Sequence, residues 1–381
     1  MVISRGLFKV FTTIFLCVCI VLVVRAQENS DSAWKQAEPG YVFGFPRDHG
    51  SHPEYRVEWW YYTGNLSSSD GSEYGYQLTF FRVGIDPAPT NPSSWAVRDL
   101  FMAHLAVTDV DDERHIMAER LNRSGVGWSG ASTETLDVWN EDWSASLVEG
   151  VHILEAQDEV KDFGISLKLV SRQPIVFHGQ NGYSQKGSDP GNASEYYSVT
   201  HLETSGNLIV DGMVHEVTGL SWMDHEFGTS FLEVNQQGWD WFSLQFTDGS
   251  ALMVYVLRQI DGTVDMHSGG TFIDADGSVT VLQKDDYYLE PTRRWFSSLS
   301  GADYPVEWNI DIPELEVSLK VQALVDSQEM TTGQSTGVTY WEGAVGARGT
   351  VAEELIQGRG YLEMTGYTGP PMSEALGGKV R

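Results

Sequence analysis

The chain has 381 residues, 41% of them hydrophobic and 12% aromatic, enough for one large or two medium domains with real cores. It carries 24 Lys and Arg against 53 Asp and Glu, which argues against a nucleic-acid partner, because that binding depends on basic groups neutralising phosphates. The acids are dispersed and read as a soluble, salt-tolerant surface, with cation binding as the functional alternative.

Arg5 and Lys9 precede an almost continuous apolar run from Val10 to Val24, and Val24-Arg25-Ala26 opens onto the polar Gln27-Glu28-Asn29. This is the layout of a cleaved export signal over residues 1–26, which makes the protein periplasmic or secreted. The run is shorter than the ~20 residues a spanning helix needs. Both cysteines, Cys17 and Cys19, lie inside it, so the mature chain is expected to lack disulfides, thiolate metal sites and cysteine nucleophiles. Residues 27–40 are expected to form an exposed lead-in, 41–232 a first domain, 233–370 a second, and 371–381 a loose tail.

From there the apolar residues alternate with period two, and the fold class is all-β. Arg56 to Leu66 and Tyr74 to Val83 read as one long hairpin around Asp70-Gly71. Further Asp-Gly pairs at 211–212, 248–249, 261–262 and 276–277 mark tight turns between sequential strands. Phe101 to Val107 is an apolar strand carrying His104, either a satisfied core residue or a ligand or base. Asp109 to Glu113 reads as a solvated turn, and Gln180 to Ala193 as a long loop. Trp239 to Leu282 is a meander, which tends to close into a barrel to hide its edges. Asp274-Ala-Asp276-Gly-Ser278 starts like a calcium loop but lacks the later glutamate, so it is expected as a hairpin turn.

The densest polar cluster is Ser221-Trp222-Met223-Asp224-His225-Glu226-Phe227-Gly228. In a strand, Asp224 and Glu226 share one face while His225 and Met223 share the other. The two carboxylates are either a general acid/base pair with one pKa raised by burial, or braces at a domain junction. Glu58 sits before three aromatics and is either paired, with Arg56 or Arg82, or poised for proton transfer. Trp59, Trp60, Tyr61, Trp222, Trp239, Trp241 and Trp341 are candidates to line a ligand cavity and to stabilise a cation, unless they simply pack the core. No nucleophile elbow, zinc-protease helix, phosphate loop or dinucleotide fingerprint is present, so hydrolysis ranks last and no cofactor is called for. Spacing gives no sign of a metal.

Phe45-Pro46-Arg47-Asp48-His49-Gly50 and Glu58-Trp59-Trp60-Tyr61-Tyr62-Thr63-Gly64 resemble the N-terminal signature of the carotenoid 1,2-hydratase family and its AttH-like relatives. Ser221 to Gly228 resembles that family's Trp-Met-Asp-His-Glu segment. Trp239 to Gln245, Tyr340 to Gly343 and Gly360 to Tyr367 look like landmarks of its second domain. The resemblance spans roughly residues 41 to 370. It implies two lipocalin-like antiparallel β-barrels packed together, with an apolar, isoprenoid- or lipid-like ligand in a barrel. It also implies peripheral association with a membrane or transporter. For hydratase chemistry it implies Asp224 as proton donor, His225 as its partner, Trp239 and Trp241 as cation-stabilising walls, and Glu58 and Tyr61 as second candidates. Hydratases of the family carry Asn-Trp where this chain has Glu226-Phe227, which moves it toward the AttH-like branch. Two functions stay open: a non-catalytic ligand carrier, or an acid/base enzyme of hydratase, isomerase or cyclase type.

Overall fold

A computed structural model describes residues 34–230 and 232–375. The export signal, both cysteines, residues 27–33 of the lead-in and the end of the tail lie outside the described residues. Two antiparallel sheets account for nearly everything else. The first runs, neighbour to neighbour, through Arg114–Arg123, Asp99–Asp109, Glu73–Gly84, Val57–Ser68, Met213–Ser230, Ala193–Val210, Phe163–Ser171, Val151–Asp158, Trp143–Val148, Asp137–Asn140 and Ser129–Ala131. It curls until its ends meet: Arg120 donates to the Asn140 carbonyl at 3.0 Å and Asn122 to the Asn140 side chain at 2.7 Å. The chain then crosses between Ser230 and Gln236 into the second sheet, whose central pairs are Gln236–Phe246 with Ala251–Gln259 and Thr339–Val351 with Glu354–Met364. The Tyr287 hydroxyl, donating to the Tyr255 carbonyl at 2.6 Å, helps to draw this second barrel together.

The local chemistry explains the hairpins. Val57–Ser68 pairs with Glu73–Gly84 from Val57 opposite Val83 to Ser67 opposite Glu73. All five Asp-Gly glycines have positive φ, between 72° and 95°, the region that tight hairpin turns require and glycine adopts without steric cost. Asp274 to Ser278 joins Gly269–Ile273 to Val279–Gln283 as a hairpin turn. No described helix is long and apolar enough to cross a membrane.

The three largest apolar cores among the described residues follow from strand alternation. Trp60, Tyr62, Tyr76, Phe80 and Trp143 fill the first barrel, and Phe242, Trp308, Trp341 and Leu362 fill the second. A third core lies between the barrels and is built from both, including Val57, Tyr61, Tyr196 and Trp222 with Trp241, Met253, Tyr255 and Tyr361. The barrel interiors, where the resemblance implies a ligand, are lined by these buried side chains.

Three expectations about loops and ends are corrected. Trp34 and Ala37, placed in an exposed lead-in, are buried at 5% and 1% exposure. Trp34 lies so close to Gly84 that any side chain there would strike its ring. The segment Gln180 to Ala193 is not all loop: Tyr183–Gln185 pairs with Ala193–Val210 and delivers the buried Lys186. The tail begins with a short helix, Met372–Ala375, with Met372 packed into the inter-barrel core.

A carboxylate-lined cavity between the barrels

A cavity of about 170 Å³ opens between the outer faces of the two barrels. The first barrel contributes Val57, Trp59 and Tyr61, then Thr79 and Phe81, then Met102 and His104, and finally Asp224 and Glu226. The second contributes Trp239, Trp241, Tyr255, Tyr340, Glu342 and Glu363. Each strand presents every second residue, so the pattern that fills a barrel on one side lines the cavity on the other.

Asp224 is buried and collects three donors: the Trp222 indole at 2.6 Å, the Tyr196 hydroxyl at 2.8 Å and the Ser198 hydroxyl. Behind Ser198 stands His178, with Nε2 2.6 Å from the serine oxygen and Nδ1 2.9 Å from Thr271 of the second barrel. Burial, helped by the Glu226 charge, pushes the Asp224 carboxyl up to about 7 against the pull of its donors. Glu226 is engaged by Ser194 and by Lys186, whose ammonium lies 3.1 Å away. Burial lowers the Lys186 pKa, but the Glu226 charge outweighs it and holds the ammonium above the ordinary lysine range. The ammonium also sits over the Tyr255 ring at 4.5 Å.

The opposite wall carries Glu342 and Glu363. Burial and the neighbouring Glu363 hold Glu342 well above the usual carboxylate range, and its partner is the Tyr61 hydroxyl at 2.5 Å. Burial raises Glu363 to about 7, although the Trp239 side chain hydrogen-bonds it.

The residues singled out in the sequence divide between the two faces of their strands. Asp224, Glu226, Trp59, Tyr61, His104, Trp239 and Trp241 line the cavity. Trp222 does not; it supports Asp224 from the inter-barrel core. Trp60 and Trp341 point into the barrel interiors and donate to the carbonyls of His49 and Asp326. They sit one residue out of phase with their cavity-lining neighbours, which corrects their place in the ligand wall. His225 is likewise corrected as the partner of Asp224. Its Nε2 lies 3.0 Å from Glu58 on the opposite face, and burial lowers its pKa against the pull of Glu58. Glu58 takes no part in the cavity: Arg82 binds it at 2.9 Å, Ser51 and His52 also reach it, and these partners hold it far below its usual range against the cost of burial. His104 reaches across to Tyr340 at 2.8 Å and Ser335 at 2.9 Å, so both ring nitrogens are spoken for.

His52, Glu58 and His225 hold potential ligand atoms within 4.8 Å of one another. Those atoms already satisfy each other, and the Arg82 guanidinium occupies the remaining side of Glu58. A metal there would have to displace a buried ion pair. Glu342, Glu363, Tyr196 and Lys186 were not singled out in the sequence. The first two stand in the landmark segments Tyr340 to Gly343 and Gly360 to Tyr367, and alternation puts each on the face opposite the core residues Trp341 and Leu362. Lys186 had no comparable signal.

Fold and site together define a class: paired barrels whose apolar, acid-lined cavity lies at their junction. The AttH-like family model matches residues 36–367, and the chain belongs to that family. The crystal structure of an AttH from Nitrosomonas europaea is 34% identical, covering 88% of this chain and 100% of that one with a TM-score of 0.79. Kievitone hydratase from Nectria haematococca shares the fold at 16% identity and a TM-score of 0.66, over 87% of this chain and 96% of that one. CghA does so at 15% identity and a TM-score of 0.51, over 83% and 89%. No curated protein matches the sequence.

Proposed function

We propose that this protein is an acid/base enzyme of hydratase type that binds a compact, apolar, unsaturated molecule between its barrels and protonates it from Asp224. The observation that carries the reading is a carboxyl group pushed toward neutrality on the wall of an aromatic cavity. An acid whose pKa lies near the working pH is both populated and strong enough to transfer its proton. Trp59, Trp239, Trp241 and Tyr61 offer ring faces to the cation that protonation of a double bond creates. Kievitone hydratase and CghA lend the fold and nothing finer at their level of identity.

Size supports a compact ligand. A roughly 150 Å³ apolar cavity in another protein holds benzene, so about 170 Å³ suits a small ring or a branched alkene, or one end of something longer. The carrier reading keeps the same cavity without turnover. Asp224→Asn separates the two: turnover of such alkenes is expected to fall by about a hundredfold or more with the fold retained, while ligand affinity survives. A folded variant with undiminished turnover would remove Asp224 as the acid, and a wild-type protein that binds without turnover would be a carrier. Residues 1–26 are read as an export signal, supported by the basic start, the apolar run and the small-residue end of that segment.

A further inference from the structure

The wall facing Asp224 carries an arrangement that stability does not explain. Glu342 and Glu363 stand directly opposite each other in the ladder between Thr339–Val351 and Glu354–Met364, and both side chains line the cavity. Like charges in that position repel. No described ion pair reaches either acid, and the cavity's Lys186 is engaged by Glu226. Their partners are neutral donors: the Tyr61 hydroxyl, arriving from the first barrel, on Glu342, and Trp239 on Glu363. A purely structural brace would be better served by an amide, which keeps the hydrogen bonds and avoids burying two acids side by side. Two buried carboxyls opposite each other in a ladder titrate one after the other: losing the first proton is tolerable, while losing both leaves two like charges side by side.

The pair is tied to Asp224 on both sides. Tyr61 is the ladder partner of Asp224 and reaches Glu342. Trp241 is the ladder partner of Glu363, and its indole donates at 3.2 Å to Tyr196, which in turn donates to Asp224. The cavity thus has an acid on one wall and a pair of carboxyls on the other. Addition of water across a double bond can use that division, because the proton is given to a carbon and taken from a water oxygen on the other side of the bond.

Resting on the function proposed above, we infer that the Glu342–Glu363 pair is the general base of the reaction and that the reaction is addition of water. Asp224 gives its proton to one alkene carbon, the π electrons forming the C–H bond and leaving a cation on the neighbouring carbon. A water oxygen bonds to that carbon, and its surplus proton passes to the singly ionised pair. Asp224 is now a carboxylate and the pair carries both protons. Return of one proton to Asp224 through solvent, as the alcohol leaves, restores the starting state with alkene and water consumed in equal amounts.

The test uses the mature protein and a panel of small trisubstituted alkenes, prenylbenzene among them, in heavy water and in ¹⁸O-labelled water. Mass spectrometry reads the tertiary alcohol and the deuterium in recovered alkene. The wild type is expected to form labelled alcohol, and Asp224→Asn to lose both alcohol and exchange. The double variant Glu342→Gln, Glu363→Gln is expected to lose about a hundredfold or more of alcohol formation while still exchanging deuterium, because the Asp224 carboxylate can remove from the cation a hydrogen other than the deuteron it gave. Melting curves and circular dichroism confirm folding, and either single variant replaces the double one if that one unfolds. Alcohol formation at the wild-type rate in the folded variant, or equal loss of alcohol and exchange, overturns the base assignment while leaving the acid in place. A wild-type protein that neither exchanges nor hydrates any member of the panel overturns the enzyme reading, and the base with it.

Discussion

Asp224 shows how one residue's chemistry is set by its neighbours. Three donors favour its charged form, yet burial and the Glu226 carboxylate outweigh them and bring it to about 7. Glu363 reaches about the same value by burial. Both lie above the unfolded-chain range near ~4. Between roughly pH 4 and 7 the folded protein therefore binds more protons at these sites than the unfolded chain, and their contribution to stability falls as pH rises through that window. Glu58 acts in the opposite sense: held far below its usual value, it stabilises the fold above its unfolded pKa and loses that contribution as pH falls. The melting temperature of Asp224→Asn relative to wild type is expected to climb between pH 5 and 8. A flat difference across that range would mean that Asp224 is ionised throughout. Alkene turnover should drop about tenfold per pH unit above neutrality, as the acid form is lost.

At the scale of the element, one strand does two jobs. Val57–Ser68 sends Trp59 and Tyr61 to the cavity and Glu58, Trp60 and Tyr62 to the barrel interior. The interior side is locked by Glu58, which joins its own strand to Arg82 on the neighbour to one side and to His225 on the neighbour to the other. Arg82 also donates to the carbonyls of His52 and Tyr55 and to Asp99, so its guanidinium is a hub of buried bonds. Arg82→Met leaves Glu58 buried without its cation and is expected to cost about 3–5 kcal/mol in chemical denaturation. Removing the exposed pair Arg172 and Glu203 should change stability far less, because solvent screens both charges. Equal losses would contradict the difference in burial. The alternation that separates these two faces is written in the residues of the strand. Which face meets a cavity is not, because both faces are apolar and both are buried.

At the scale of the molecule, the cavity exists because two barrels meet closely but incompletely. Asn65 donates to the Gly360 carbonyl at 3.1 Å, Thr108 to Gln328 at 2.8 Å and Gln245 to the Ser221 carbonyl at 3.0 Å, all across the junction. Gly75 is the tightest of these contacts that glycine makes possible: a Cβ there would lie 2.6 Å from the Ala344 Cβ and 3.1 Å from the Tyr361 hydroxyl. Gly75→Val is expected to wedge the barrels apart, raising acrylamide quenching of tryptophan fluorescence while the far-ultraviolet spectrum stays that of β-sheet. Quenching as in the wild type would show slack at the junction that the packing does not suggest.

Much of this protein was legible in one dimension. Period-two alternation and the Asp-Gly turns determined antiparallel sheets and their hairpins, because strand geometry and positive φ are local properties of a few adjacent residues. The segments around Glu58, Asp224 and Trp239 marked the family by themselves. The grouping of Asp224 with Glu226, and the separation of His225 from both, also follow from alternation once the strand is granted. Tertiary structure alone decided the rest. It placed the cavity outside the barrels, sent Trp60 and Trp341 into the cores, brought Lys186 in from a loop, and set Glu342 and Glu363 opposite Asp224 from more than a hundred residues away. The physical reason is that burial, and with it each carboxyl's pKa, depends on what the second barrel covers, and no local pattern carries that information.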